Sequence, residues 1–378
     1  MKIIFDATPM LANKTGVAFY TERLVTQLAA QYPDDIELVG FCFNFLGRQR
    51  TDHLPRATNL RYTGASLIPS KIVYQLRRFG LEIPLELLTR QRADFVLYNN
   101  FLGYPSLFHT PSAPVIHDLT YIDLPEYVSA KLRHDLERFM PRQIKRSKFI
   151  ITVSEFSKQR ICAVYGVDPA RVIVTPIPPS APVQHGTDTC QATLTKLGIT
   201  KPYLLFLGTI EPRKNIPNLI DAYQHLSPEL RASYQLVITG RIGWNCEIEK
   251  AKLAEVAGQG EIIHVGYVDD ETKDILYQSA EYFVHASHYE GFGMPLLEAM
   301  SYGVPCIVSD IPVFHEVAGD AAAYFDQNSP DDIAAKMTGA LTHPEQRQAF
   351  AAAGHKQVAT FSWKTVAGRV YQAIKQAS

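Results

Sequence analysis

The feature of this sequence that most constrains its fold is a regular alternation of short apolar runs with amphipathic stretches. In the first half the apolar runs are "KIIFDA", "IELVGFCF", "ADFVLYNN", "APVIHDLT" and "SKFIITVSE". Stretches such as "SAKLRHDLERFMPRQIKRS" lie between them and place apolar residues at helical spacing. Strands that alternate with helices predict a parallel sheet with helices on both faces.

The same alternation begins again in the second half, with "KPYLLFLGTIEPRKN", "YQLVITG", "EIIHVGYV", "AEYFVHAS", "GVPCIVSD" and "AAAYFD". The proline-rich segment "VIVTPIPPSAPVQHG" separates the halves and reads as an interdomain linker, because proline ends helices and removes a sheet donor. We therefore predict an α/β fold of two Rossmann-like, doubly wound domains that face a cleft. Their predicted bounds are 1–178 and 179–360, followed by a terminal helix at 361–378, and the 378-residue length suits two domains.

Composition excludes several protein classes. Hydrophobic residues make up 46% and charged residues 20%, as in ordinary soluble domains. No run approaches the length of a membrane span, and the opening "KIIFDA" reads as a strand and not as a signal peptide. The 5 cysteines are scattered and lack C-x-x-C spacing, which predicts reduced thiols in a cytoplasmic protein and excludes a disulfide framework or a zinc site.

Two loops that follow predicted strands carry the candidate chemistry. The first, "GTIEPRKN", places Arg213 and Lys214 just before a helix with the predicted buried face Ile216, Leu219, Ile220 and Tyr223. Two cations beside the free N–H groups of a helix start make a site for a diphosphate, and ligands of open α/β sheets bind at this edge. The alternative is a solvated pair of surface cations.

The second loop, "HYEGFGMPLLEAM", carries two carboxylates, Glu290 and Glu298. Gly291 and Gly293 allow a close approach of backbone to a ligand, and Pro295 suits the first turn of a helix. If the eight-residue spacing were helical, the backbones would lie roughly 12 Å apart, beyond the separation of about 5–9.5 Å between paired glycosidase carboxyls. Two contacts along one long ligand are therefore favoured over an acid–base pair. The alternatives are a capping residue for Glu290 and a dipole-complementing carboxylate for Glu298.

Taken together, "GTIEPRKN", "VGYVDD", "SHYEGFGMPLLEAMSYGVPCIVSD" and "FSW" resemble the donor domain of retaining glycosyltransferases of family 4, which have the GT-B fold. Glu290 and Glu298 match the E-x7-E signature of that family. The resemblance covers nearly the whole chain, is strongest from Tyr203 to Asp326, and extends to mannosyltransferases of O-antigen type.

This resemblance implies roles for particular residues. Arg213 and Lys214 would hold the diphosphate of a nucleotide sugar, and Glu298 would bind the ribose. His117 in "VIHDLT" matches the active-site histidine of the family, and the final helix would cross back to the first domain. The resemblance thus implies four catalytic residues, His117, Arg213, Lys214 and Glu290, and Glu290 would also hold the transferred sugar together with the backbone of Gly291, Phe292 and Gly293. The remaining implied substrate-binding positions are the base-lining Tyr267 and Val268, the phosphate-facing Gly16, and Gly208, Asp118 and Met294.

The implied activity is transfer of a hexose, by our interpretation mannose from GDP-mannose, to a hydroxyl of a lipid-linked surface polysaccharide. No cofactor is expected, and the sequence has no D-x-D motif, which fits catalysis without a metal. Two alternatives stay open: another sugar-nucleotide enzyme, such as an epimerase or a soluble disaccharide synthase, and a non-catalytic nucleotide-sugar-binding subunit. A glycosidase is disfavoured because it needs no diphosphate site.

Charge is divided unevenly along the chain. Residues 1–180 carry 22 Lys and Arg against 16 Asp and Glu, a net charge of +6, and the remainder carries −7. Within residues 131–148, cations flank an apolar stripe of Leu132, Leu136, Phe139 and Ile144. This basic amphipathic stretch predicts contact with the anionic inner face of the cytoplasmic membrane. The alternative is a surface helix whose apolar stripe packs in the core. Nucleic-acid binding is not expected, because the cations lack interleaved aromatic residues.

Overall fold

The computed structural model describes residues 1–11, 15–44, 51–64 and 68–378, and the chain divides into two compact units. Unit 1 consists of Met1–Ile177 and Ser362–Ser378, and unit 2 consists of Pro178–Phe361. Each unit is built on a parallel sheet with the alternating strand and helix order that the sequence predicts.

The strands of unit 1 form a parallel sheet in the order β3-β2-β1-β4-β5, with a further parallel pair β6-β7. A bridge between Val115 and Ile151 joins the sheet to this pair. The strands are β1 (Lys2–Asp6), β2 (Glu37–Cys42), β3 (Leu60–Gly64), β4 (Phe95–Tyr98), β5 (Ser112–Pro114), β6 (Ile150–Thr152) and β7 (Val172–Val174).

Helices cover this sheet, and the last helix of the chain packs in unit 1. The helices are α1 (Gly16–Gln31), α2 (Ser70–Arg78), α3 (Leu85–Thr89), α4 (Thr120–Asp123), α5 (Ala130–Arg146), α6 (Glu155–Tyr165) and α16 (Trp363–Ala377). The terminal helix α16 lies against α1, where the Tyr32 and Tyr371 rings stack at 3.7 Å between centroids. Aromatic contacts of this kind add to simple area burial.

Three strands of unit 1 differ from the sequence prediction. Strand β3 was not predicted, because "LRYTG" alternates polar and small residues and has no continuous apolar run. Strand β7 lies in the predicted linker, since Val172 pairs with Ile150 before the prolines begin. Strand β5 ends at Pro114, so His117 lies beyond the strand in which "APVIHDLT" placed it.

The strands of unit 2 form a parallel sheet in the order β10-β9-β8-β11-β12-β13. They are β8 (Tyr203–Leu207), β9 (Gln235–Thr239), β10 (Ile262–Gly266), β11 (Tyr282–His285), β12 (Cys306–Ser309) and β13 (Ala322–Phe325). The helices are α7 (Thr187–Lys196), α8 (Ile216–Gln224), α9 (Pro228–Ser233), α10 (Glu247–Val256), α11 (Asp270–Ser279), α12 (Met294–Ser301), α13 (Pro312–Ala318), α14 (Pro330–Thr342) and α15 (Arg347–Val358).

The core of unit 2 forms where helical stripes meet the sheet. The predicted buried face of α8 is confirmed: Ile216, Leu219, Ile220 and Tyr223 are all fully buried. Burying an aliphatic or aromatic side chain of this size contributes about 1.5–3 kcal/mol relative to exposure. This packing holds the start of α8, and hence the loop before it, against the sheet.

Helix α5 contains the basic stretch for which membrane contact was predicted. Leu136, Phe139 and Ile144 are buried, and Leu136 and Ile144 pack in a core cluster of unit 1. The apolar stripe of α5 is therefore core, apart from Leu132, which is exposed. Membrane contact through residues 131–148 stays a prediction, and in this structure it would involve the outward-facing cations.

Candidate functional site

The candidate site lies where the strand order of the parallel sheet of unit 2 reverses, between the neighbouring strands β8 and β11. The chain leaves β8 towards β9 on one side of the sheet, whereas it leaves β11 towards β12 on the other. The loops after β8 and β11 therefore diverge, which leaves the crevice where open α/β sheets bind ligands. A backbone hydrogen bond from His288 N to Arg213 O, 2.8 Å, ties the two loops together.

Glu290 is the centre of the site. Its Oε2 accepts a hydrogen bond from Arg213 Nη1 at 2.7 Å, and its Oε1 is in an ion pair with Lys214 Nζ. Oε1 also accepts from Ser287 Oγ at 2.8 Å and from His285 Nε2 at 3.1 Å. We call these five residues the Glu290 cluster. The structure thus brings together the predicted residues Arg213, Lys214 and Glu290.

Burial and charge together set the protonation of the cluster. Burial alone would raise the pKa of Glu290, but Arg213 and Lys214 hold that pKa well below its usual range, so Glu290 is a carboxylate. Burial lowers the pKa of His285 to about 4, although the hydrogen bond to Glu290 opposes the shift. A neutral His285 must therefore donate through Nε2, because a carboxylate can only accept.

The two cations differ in their access to solvent. Lys214 keeps only 6% of its side-chain surface exposed, and burial followed by the neighbouring Arg213 lowers its pKa. Arg213 keeps 20% exposed, and its Nη2 pairs with Glu211 Oε1 at 2.6 Å. Arg213 is therefore the better placed of the two to meet an incoming anion, and Lys214 lies beneath it.

Sequence reasoning missed two members of the Glu290 cluster, His285 and Ser287, and one neighbour of it, Glu211. Each flanks a predicted residue in the chain: Glu211 precedes the "PRK" sequence, and His285 and Ser287 precede Glu290. All three are almost completely buried. A buried polar residue at the end of an apolar strand is the signal that could have identified them, because buried polar groups need partners.

The loop that leads from Glu290 into α12 requires glycine. Gly293 has φ +97° and precedes the first residue of α12. A Cβ at this position would lie 2.7 Å from the Phe314 ring, so a side chain would clash as well as strain the backbone. Gly291 and Phe292 are also buried, whereas Met294 is partly exposed.

Glu298 lies outside the Glu290 cluster and has its own partners. Its Oε1 pairs with Lys273 Nζ at 3.3 Å, and its Oε2 accepts from Tyr277 Oη at 3.0 Å. Lys273 and Tyr277 are four residues apart on α11, so they lie on one face of that helix. Neither residue was predicted, although a lysine and a tyrosine four positions apart on the helix after "GYVDD" could have indicated a shared partner. Glu290 and Glu298 therefore have separate surroundings.

The remaining predicted positions of unit 2 are split between the cluster and an exposed loop. A Cβ at Gly208 would stand 3.8 Å from Lys214 Cε and 3.9 Å from His285 Cε1, so Gly208 adjoins the cluster. Tyr267, after β10, is 59% exposed, and the Arg241 guanidinium lies 3.9 Å from the centroid of its ring. Val268 beside it is partly exposed.

In unit 1, His117 lies just past the carboxyl end of β5. Its Nε2 is 3.1 Å from the Asn99 carbonyl oxygen, and Tyr20 packs against its ring edge-on at 5.5 Å. Burial lowers the pKa of His117, although the contact with Asn99 opposes the shift. The imidazole is therefore predominantly neutral near pH 7, with Nε2 as the donor.

Asp118 and Gly16, the other predicted residues of unit 1, both lie at helix starts. Asp118 Oδ1 accepts from Thr120 N at 3.0 Å and from Thr120 Oγ1 at 2.9 Å, which stabilises the first turn of α4. Gly16 is the first residue of α1 and is exposed, and Thr15 caps that helix through a bond from Ala18 N at 3.3 Å.

Within the described ranges, 1–11, 15–44, 51–64 and 68–378, no cluster of three or more His, Cys, Asp or Glu side chains is arranged to hold a metal ion. Across the same part of the chain, none of the helices combines the length and the apolar character needed to span a bilayer.

Known proteins match this chain over its whole length. The model of Glycosyltransferase Family 4 matches residues 15–179, and that of Glycosyl transferases group 1 matches residues 194–357. The O-antigen chain mannosyltransferase B of Escherichia coli is 31% identical over 385 aligned residues, which cover 99% of this chain and 100% of that protein.

Solved structures share the fold at low sequence identity. Sucrose-phosphate synthase from Thermosynechococcus elongatus superposes with a TM-score of 0.76 at 17% identity and covers 100% of both chains. Anabaena Alr3699/HepE in complex with UDP-glucose superposes with a TM-score of 0.71 at 14% identity and also covers 100% of both chains. These likenesses confirm the predicted α/β fold of two Rossmann-like domains.

Proposed function

The chain belongs to the glycosyltransferases of family 4, and from that premise we propose that it is a retaining, metal-independent mannosyltransferase. Its donor would be GDP-mannose, and its acceptor a hydroxyl of a growing surface polysaccharide carried on a lipid. The observation that carries the transferase proposal is the Glu290 cluster at the point where the strand order of the sheet reverses. The name of the full-length relative, an O-antigen chain mannosyltransferase, supports mannose and the surface glycan.

The cations of the cluster suit the departure of a nucleoside diphosphate. As the bond between the sugar and the diphosphate breaks, negative charge builds up on the phosphate oxygens, and fixed cations stabilise it without reorganising. Arg213 is partly exposed and Lys214 is buried behind it, and both are held by Glu290. We assign these cations to stabilisation of the leaving group, which needs no metal ion.

Glu290 is poorly suited to act as a covalent nucleophile. Its carboxylate already accepts from four side chains, and its lowered pKa makes it a weak base. We therefore propose that retention comes from attack by the acceptor hydroxyl on the face that the diphosphate leaves. Glu290 would fix the cations and, with the backbone of 291–294, bind hydroxyls of the transferred sugar.

The other predicted residues receive roles along the same ligand. Glu298 would bind the ribose, with Lys273 and Tyr277 holding its carboxylate, and Tyr267 and Val268 would line the base. Gly208 would adjoin the diphosphate. From unit 1, we propose that His117 and Asp118 contact the sugar and that Gly16 contacts the phosphates. The protein would work in the cytoplasm, at the inner face of the membrane that presents a lipid-linked acceptor.

A thermal-shift screen with GDP-, UDP- and ADP-sugars tests the donor. We expect GDP-mannose to raise the melting temperature most, because a ligand present at 100 times its Kd stabilises the folded state by about 2.7 kcal/mol. NMR of the product should then show retained configuration at the mannose anomeric carbon. A larger shift with UDP-glucose, the ligand of the Anabaena neighbour, together with glucosyl transfer, would refute the mannose assignment.

Glu298→Gln should raise the KM for the donor about 10- to 100-fold with little change in kcat, because hydrogen bonds to a charged group contribute about 1.5–3 kcal/mol. The ribose is remote from the reacting carbon, so its contacts strengthen the substrate and transition-state complexes alike. Steady-state kinetics with varied donor measures this effect. The control is Glu271→Gln, an exposed carboxylate on α11. A fall in kcat at unchanged KM would refute the ribose assignment.

A further inference from the structure

Arg241 is an exposed cation in the loop that follows β9, at the carboxyl edge of the sheet of unit 2. Its guanidinium carbon lies 3.9 Å from the centroid of the Tyr267 ring, so the group lies over that ring. Among the residues that the structure describes, none forms an ion pair or a hydrogen bond with the Arg241 side chain. The N–H donors of this guanidinium are therefore open to a ligand.

The backbone around Arg241 is bonded to the loops on both sides. Ile210 N donates to Arg241 O at 2.7 Å, which ties Arg241 to the loop after β8, where the cations of the Glu290 cluster lie. On the other side, Gly240 N donates to Gly266 O at 2.8 Å, so the residues that precede Arg241 and Tyr267 are bonded directly. The loops after β8, β9 and β10 are therefore joined in series, with Arg241 in the middle loop.

Tyr267 leads from the end of β10 into α11. The pairing of β10 with β9 changes register just before Gly266, which has φ +77°, and such an irregularity re-aims the side chains beside it. Helix α11 then carries Lys273, which pairs with Glu298, the residue assigned to the ribose. The base of a nucleotide is attached to its ribose, so the Arg241–Tyr267 pair lies on the segment where a base would be expected.

Contact between an arginine and an aromatic ring does not by itself mark a binding site. In unit 1 the Arg92 guanidinium lies 3.8 Å from the centroid of the Phe108 ring, and both residues are exposed. Arg92 precedes β4, however, and so lies at the amino end of its strand. Arg241 follows β9, at the edge where open α/β sheets bind ligands. The position in the sheet therefore separates two pairs that are alike in geometry.

We propose that Arg241, supported by the Tyr267 ring, selects a guanine base by donating hydrogen bonds to its O6 and N7 atoms. The planar fork of arginine matches this pair of adjacent acceptors. Adenine carries an amino donor where guanine has O6, and uracil has no adjacent pair of acceptors, so neither base accepts both bonds. The inference rests on the proposed nucleotide-sugar transferase function and identifies the residue that chooses the base of the donor.

Calorimetric titration with GDP, ADP and UDP tests the proposal without a sugar or an acceptor. Arg241→Gln should weaken the binding of GDP by at least about tenfold and that of ADP and UDP by less than about threefold. Arg241→Lys keeps the charge but loses the fork, so it should lose most of the same factor. The analogue 7-deaza-GDP lacks the N7 acceptor. It should bind the unaltered protein more weakly than GDP does, whereas Arg241→Gln should bind both equally.

Arg92→Gln is the matched control, because it removes an exposed arginine from an aromatic ring in unit 1 and should leave all the dissociation constants unchanged. Equal weakening of GDP, ADP and UDP by Arg241→Gln would assign Arg241 to the phosphates and overturn the proposal. Equal binding of GDP and 7-deaza-GDP by the unaltered protein would also overturn it. A preference for GDP that survives in Arg241→Gln overturns this inference alone. An unaltered protein that prefers ADP or UDP, or binds none of the three, overturns the proposed donor as well.

Discussion

Glu290→Gln is expected to lower kcat by about 10²–10³-fold, the loss typical when one preorganised electrostatic group is removed. The amide has nearly the same shape but no charge, so Arg213 and Lys214 lose the carboxylate that orients them. The net charge of the site also becomes more positive by one. GDP should therefore bind at least as tightly as before, although transfer is slow. Steady-state kinetics and GDP titration of the same variant measure this separation of binding from turnover.

The choice of glutamine over alanine follows from burial. Glutamine keeps the side-chain volume and an amide oxygen that accepts a hydrogen bond from the cations, whereas alanine removes every acceptor from a buried site. Removing one partner of a buried ion pair in that way destabilises a fold by about 3–5 kcal/mol. Loss of activity in that variant could then reflect unfolding. Glu211→Gln is the matched control, because it removes the charge from another buried carboxylate that pairs with Arg213. Turnover by Glu290→Gln within a few-fold of the unaltered protein would contradict the role of the Glu290 cluster.

Gly240→Ala should destabilise unit 2 by about 4 kcal/mol or more, which is exceptional for a single substitution. Gly240 follows β9, and a Cβ there would lie 1.8 Å from the Gly208 carbonyl oxygen. Its φ of +149° is also rarely adopted by residues with a side chain. The loops after β8 and β9 pack backbone to backbone, so relief of the clash would displace the segment that leads to Arg213. Urea unfolding measures the loss.

Gly198→Ala separates this clash from the strain of a positive φ. Gly198 has φ +77°, and a Cβ there would meet nothing within 4 Å. Only the left-handed backbone is then penalised, at about 1–2 kcal/mol. The prediction is wrong if the two variants lose equal stability, or if Gly240→Ala unfolds at the same urea concentration as the unaltered protein.

Much of the site was predictable because its residues follow strands. "LLFLG" and "YFVHAS" are apolar runs that could only be buried, so the loops after them had to reach the carboxyl edge of a parallel sheet. That argument identifies Arg213, Lys214 and Glu290. Strand β3, by contrast, was not predicted, because it lacks the continuous run of apolar residues on which this argument depends. His285 and Ser287 were not predicted because the sequence alone does not distinguish them from other polar residues at the end of a strand.

The sequence by itself determined the two parallel α/β units, the buried face of α8 and the residue types of the site, because periodicity and turn chemistry are local. Only the tertiary structure decided which residues meet. Glu290 contacts Arg213 and Lys214 across more than seventy positions because β8 and β11 are neighbours in the sheet. Glu298 of α12 likewise contacts Lys273 and Tyr277 of α11, which lie 25 and 21 positions away in the chain. Packing likewise decided that the apolar stripe of α5 is core while Phe79 stays exposed. An apolar stripe in the sequence predicts that one face of a helix avoids water, but only the packing of the whole unit decides what that face contacts.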